Sequence, residues 1–180
     1  MALDADALYA LAKEQERDNR NFLHWLRYRC TWSSRRLARL EREIAARVWA
    51  EIDCTGCANC CRRMQLEVTK KDCADLARLL GMKPAQFLEQ EVERHRQGFL
   101  CLRQFPCRFL DGNHCTVYEQ RPNRCRGFPY LTGTVRDDIS GTLVKSLYCP
   151  IVFQFLEEMK AHPDLQRRRR RRGAGEGAGE

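Results

Sequence analysis

The stretch DCTGCANCCRR, residues 53–63, places Cys54, Cys57, Cys60 and Cys61 within eight consecutive positions. Cys54-x-x-Cys57 and Cys57-x-x-Cys60 are two overlapping pairs at a metal-ligand spacing. Thiolates three residues apart converge on one ion when the backbone between them turns sharply. Gly56 and Asn59 each precede a cysteine. They are the residues here that reach positive φ most readily, so the turns are expected at them. A helix over the same stretch would instead align Cys54, Cys57 and Cys61 as small hydrophobes. Gly56 and the absence of a continuing apolar stripe argue against that arrangement.

Working outward, the chain has 11 cysteines in 180 residues. An odd number fits poorly with a closed disulfide framework. CRFLDGNHCTVY reads as a hairpin turning at Asp111-Gly112-Asn113, which brings Cys107 and Cys115 near each other. Cys125 lies in RPNRCRGFP, and Cys149 directly precedes Pro150. With the first four cysteines these form a candidate set of eight metal ligands. Cys73 falls in line with Leu76 and Leu80, and Cys30 and Cys101 have apolar neighbours, so these three are assigned to packing. His114, at the tip of the hairpin, is read as exposed.

The first fifty residues read as helix. Ser33 and Ser34 offer N-caps to a helix whose Leu37, Leu40, Ile44, Val48 and Ile52 form an apolar stripe. MQLEV, residues 64–68, alternates like a short strand. Thr69 and Asp72 form a capping box for a helix that Gly81 closes, and Pro84 opens another running to about His95. FLCLRQF reads as a strand, and a last helix covers 150–159. Asp137-Asp138, between Gly133 and Gly141, reads as a turn. The fold class expected is α+β: a small metal-stapled domain of short strands, a hairpin and helices, preceded by an N-terminal helical pair. The division expected is an N-terminal helical extension over 1–52, a cysteine-cluster domain over 53–160 and a disordered Arg-rich tail over 161–180.

The net charge is +8, and six arginines at 167–172 with Glu176 and Glu180 account for half of it. Like charges followed by GAGEGAGE bury no apolar surface, which is the basis for expecting disorder there. At most, such a tail touches nucleic acid through non-specific electrostatics. No stretch approaches the roughly 18 apolar residues of a membrane span. MALDADALYALAKEQE lacks the basic start and apolar run of a signal peptide, so a cytoplasmic, reducing location is expected.

The run Cys54-x-x-Cys57-x-x-Cys60-Cys61, then CRFLDGNHCTVYEQRPNRCRGFPY, then a late cysteine, resembles the YkgJ-type family of zinc- or iron-chelating cysteine-cluster proteins. The resemblance spans roughly residues 54–150. It implies metal chelation by Cys54, Cys57, Cys60, Cys61, Cys107, Cys115, Cys125 and Cys149. The family's Arg-Pro and Cys-Arg elements match Arg121, Pro122 and Arg126. The cysteine motif is also similar to that of flagellin lysine N-methylases, which implies a cluster-dependent enzyme as one alternative.

Eight thiolates suit two four-cysteine zinc sites. Three cysteines at two-residue gaps with a distant Cys-Pro follow the ligand style of a 4Fe–4S ferredoxin, which favours an iron–sulfur cluster over zinc. Arg121, Arg124 and Arg126 surround Cys125 in sequence and are candidate cationic hydrogen-bond donors to the thiolates, Arg121 and Arg126 before Arg124. No dinucleotide fingerprint, P-loop or zinc-protease motif is present. Three functions therefore stand: a redox or accessory module whose N-terminal helices meet a protein partner, a protein-modifying enzyme, and a zinc-stapled interaction or nucleic-acid-binding protein.

Overall fold

A computed structural model describes residues 5–131 and 135–173. In chain order the first helices are α1 (Ala5–Glu14), α2 (Glu16–Tyr28), α3 (Ser34–Glu51), α4 (Asn59–Arg63), α5 (Lys70–Leu79) and α6 (Pro84–Glu91). The strands β1 (Val92–Arg94), β2 (Leu100–Leu102), β3 (Leu110–Asp111) and β4 (His114–Cys115) follow. A 3-10 turn, Tyr118–Gln120, leads to α7 (Asn123–Gly127), α8 (Ile139–Ser146), α9 (Pro150–Ala161) and α10 (Pro163–Gly173). The fold is α+β, mostly helical, with two small antiparallel strand pairs. It divides into two compact units, Cys54–Phe128 and Met1–Asp53 with Pro129–Glu180.

The all-helical unit is built on α3 and α9. Ser33 caps α3, its Oγ accepting the Arg36 N–H at 3.3 Å. Of the predicted stripe, Leu37, Leu40, Ile44 and Val48 are buried and Ile52 is the half-buried C-cap, and α3 packs on α9. That helix in turn buries Ile151, Val152, Phe155, Leu156 and Met159. Removing such a stripe from water is the main force holding a helical unit together. The N-terminal helices, read from sequence as an extension, thus share one unit with the C-terminal helices.

Two readings are corrected in this unit. Asp138 is the N-cap of α8 rather than a loop turn, its side chain accepting the Gly141 N–H at 3.0 Å. Gly133 lies outside the described residues. The segment from Pro163 to Gly173 is helical, not disordered. Pro163 supplies a pre-set φ at the helix start, Asp164 complements its dipole, and arginine is a good helix former. Leu165 is 1% exposed, so α10 has an apolar anchor that outweighs the repulsion of its arginines. The remainder of the expected tail, 174–180, lies outside the described residues. Among the described residues, no single helix is long and apolar enough to cross a membrane.

The other unit has its own core of Val68, Leu76, Phe87, Val92, Leu102, Phe109 and Val117, with Cys73 among them. The capping box is present: Thr69 Oγ1 accepts the Asp72 N–H, and the Asp72 carboxylate accepts the Thr69 N–H. Gly81, at φ +66°, ends α5, and Pro84 starts α6. That helix stops at Glu91 rather than continuing to His95. Val92 instead pairs with Leu102, while Gly98, at φ +92°, closes a loop in which His95 stacks on Phe99 at 4.3 Å. A β-branched residue opposite an apolar strand gains more there than in a last helical turn. MQLEV runs beside β2 through a single bridge, Glu67 to Cys101, and two hydrogen bonds.

Candidate metal centre

The cysteine-rich stretch is a turn followed by a short helix. The Cys57 N–H donates to the Cys54 carbonyl at 3.3 Å, and α4 begins at Asn59. The left-handed residue is Ala58, at φ +54°; Gly56 and Asn59, expected to supply positive φ, do not. The reversal has to fall immediately before the helix, and Asn59 is already inside it. Cys60 and Cys61 therefore sit side by side on the first turn of α4, their sulfurs 4.0 Å apart. Cys54 and Cys57 are half-buried on the preceding turn.

Two further segments carry thiols to α4. The Cys107 N–H donates to the Cys61 carbonyl at 2.9 Å, which joins the base of the hairpin to the helix. In the hairpin, Leu110 pairs with Cys115 and Asp111 with His114, and Gly112 takes φ +56° in the turn. Cys107 and Cys115 pack against the core of this unit. The second segment is α7, which carries Cys125. The Asn123 N–H donates at 3.3 Å to the same Asp72 carboxylate that caps α5, and this anchors the helix.

The thiols sense one another. Burial is the main cause that pushes the Cys125 thiol up to about 12, and Cys61, Cys107 and Cys115 add to it. Cys107 and Cys115 are also raised, first by burial and then with a contribution from Cys61. Cys61 goes the other way, to about 7, because Cys60 hydrogen-bonds to it and Arg62 lends positive charge. Like thiolates in a half-buried region resist ionising together, and a cation would relieve that resistance.

Arg62 was given no role by the sequence reading, although it directly follows Cys61. Its guanidinium donates to the Gly112 carbonyl, to Asn113 Oδ1 at 2.6 Å and to the Cys57 carbonyl at 3.4 Å. It thereby ties the turn before α4 to the hairpin tip. Arg121 lies 3.8 Å over the Tyr118 ring, and its charge acts on Cys115 and Cys125. Arg126 donates to the Arg121 and Glu119 carbonyls, closing the loop around α7. Arg124 pairs with Glu67 at 2.8 Å. Cys149 is buried at the N-cap of α9, in the all-helical unit. Cys73 and Cys101 are buried and Cys30 half-buried.

Among the described residues, no three His, Cys, Asp or Glu side chains stand close enough to hold one ion. The donor chemistry nonetheless fits a thiophilic metal. Cys60, Cys61, Cys107, Cys115 and Cys125 interact from three chain segments, and His114 beside them is exposed. Asn59, 5% exposed, holds a buried Nδ2 without an acceptor next to Cys60, a donor suited to a metal-bound sulfur.

An all-thiol donor set on a small α+β scaffold defines a cysteine-cluster chelating domain. The CxxCxxCC family model, described as "Putative zinc- or iron-chelating domain", matches residues 53–150, more than half of the chain. The chain belongs to this family. No curated protein and no solved structure matches it.

Proposed function

We propose that this protein is a cytoplasmic redox or accessory module that holds an iron–sulfur cluster through cysteine thiolates. The observation that carries the reading is the placement of Cys61 on α4, Cys107 and Cys115 on the hairpin and Cys125 on α7, with the Cys107 N–H donating to the Cys61 carbonyl at 2.9 Å. The candidate ligands are these four with Cys54, Cys57, Cys60 and Cys149. Sulfur-only donors and three cysteines at two-residue gaps favour iron–sulfur ligation. A bound cluster would supply one-electron chemistry. The chain's own residues do the rest. Arg62 and Arg121 lend positive charge against accumulated thiolate charge, and Arg126 braces the loop that presents Cys125. The apolar core beneath Cys107 and Cys115 covers them on one side and leaves them half-buried.

A zinc-stapled interaction protein is the second reading, favoured by one specific observation: the thiols come from α4, the hairpin and α7, short elements of the kind a four-cysteine zinc site staples. Anaerobic purification followed by iron, sulfide and zinc analysis separates the two. Brown protein with iron and acid-labile sulfide in equal amounts supports the cluster. Colourless protein with stoichiometric zinc overturns it in favour of the staple.

A further inference from the structure

The arginine-rich helix α10 folds onto its own unit and completes a basic pocket. Trp25 and Arg29 at the end of α2, Arg36 in α3, and Asp164, Arg167 and Arg168 of α10 line a cavity of about 420 Å3. Four guanidinium groups face one carboxylate among these residues, so the lining carries an excess of positive charge. The arginines are held in place. Asp164 accepts from Arg36 at 3.2 Å and from Arg167 at 3.1 Å. Arg36 also stacks 3.8 Å over Trp32, and Arg168 donates to Thr31 Oγ1 at 2.7 Å. Fixed forks of this kind lose little entropy on meeting an anion, and they match phosphate geometry in pairs.

The aromatic side of the cavity narrows the ligand. Trp25 is half-buried and lines the cavity. An indole beside clustered arginines offers an apolar aromatic surface next to fixed cations, the combination that binds a base next to its phosphate. The volume suits a small ligand of that size. We infer that this pocket binds a nucleoside 5′-phosphate, either free or at the end of a single strand, with the phosphate on Arg36, Arg167 and Arg168 and the base against Trp25.

The test uses the full chain, calorimetry and tryptophan fluorescence, with adenosine 5′-monophosphate as probe. Saturable binding is expected, with adenosine and inorganic phosphate each far weaker. Arg36→Gln combined with Arg168→Gln should weaken binding about tenfold or more, since charged hydrogen bonds are lost. Lys71→Gln with Arg78→Gln, which removes the same charge from α5, should leave it unchanged. Trp25→Phe should remove most of the fluorescence change while calorimetric binding persists. If the pocket double variant fails to fold, Arg168→Lys replaces it, and loss of the paired geometry should still weaken binding. A 5′-phosphorylated oligonucleotide binding tighter than the mononucleotide assigns the source to a strand end, and the reverse order assigns it to a free nucleotide; both agree with the inference. No saturable binding at millimolar ligand, equal binding of adenosine or phosphate, or equal losses in the pocket and α5 variants would overturn it.

Discussion

Arg62 shows how much of a thiol site lies in residues other than the thiols. Its three acceptors belong to the hairpin tip and to the turn before α4, so one planar fork fixes the spacing between Cys57, Cys61 and the hairpin. Arg62→Lys keeps the charge but not the fork. Metal affinity, measured by competition with a chromogenic chelator, should fall roughly 10- to 100-fold in Arg62→Ala, the range for groups that orient ligands. Arg62→Lys should recover only part of it. Full recovery would mean that Arg62 acts through charge alone. Cys73→Ala is the contrasting case. It should cost only on the order of 1 kcal/mol of packing, read from urea denaturation, because Cys73 lies in the apolar core.

Short elements depend on single polar anchors, and Asp72 is one for two helices at once. Its carboxylate completes the capping box of α5 and also receives the Asn123 N–H that docks α7. Asp72→Ala should therefore destabilise the unit by about 2 kcal/mol, a lost cap plus a lost docking bond. Thr69→Ala, which affects the cap alone, should cost about half as much and leave metal content intact. On the helical side, Asp18 binds Lys160 of α9 at 3.0 Å and Arg169 of α10 at 2.8 Å. Partial burial pushes its carboxyl up, but hydrogen bonds from Arg169 and Lys160 together hold it below the ordinary aspartate value. A lowered folded-state value stabilises above the unfolded value, near pH 4, and the contribution disappears as pH falls through the folded value. Protection factors across α10, taken relative to the intrinsic exchange rate at each pH, should thus fall in acid relative to neutral pH, and Asp18→Asn should remove that part of the dependence.

Much of this element scale was legible in sequence because it is local chemistry. Ser33, Thr69 with Asp72, Gly81, Pro84 and the Gly112 turn act within a few residues of where they stand. The misread places depend on distant partners. Val92 leaves the helical pattern because Leu102 is there to pair with it. The arginines of α10 look like a solvated tail until Asp18, Thr31 and Leu165 give them anchors. Position 58 was missed for a different reason: alanine pays to be left-handed, and nothing local marks it.

At the scale of the whole molecule, spacing identified Cys54, Cys57, Cys60 and Cys61 as a group, but only tertiary structure brings Cys107, Cys115 and Cys125 into electrical contact with Cys61. Each segment bearing these thiols is short, so metal binding and local folding should be coupled. Stripping the metal with a competing chelator should raise hydrogen exchange in α4, β3–β4 and α7. The cores around Phe87 in one unit and around Phe155 in the other should keep their protection. Uniform loss across both units would indicate that the metal supports the entire fold.

The most direct test of the central claim is metal stoichiometry across cysteine variants, purified anaerobically and compared at equal soluble protein. Cys61→Ser, Cys107→Ser and Cys125→Ser should each lose most of the metal, because a serine hydroxyl stays protonated and hard where the site needs a soft thiolate. Cys73→Ala should retain the full complement. Undiminished metal in all three serine variants, or loss of metal in Cys73→Ala equal to theirs, would contradict a centre built on these thiols.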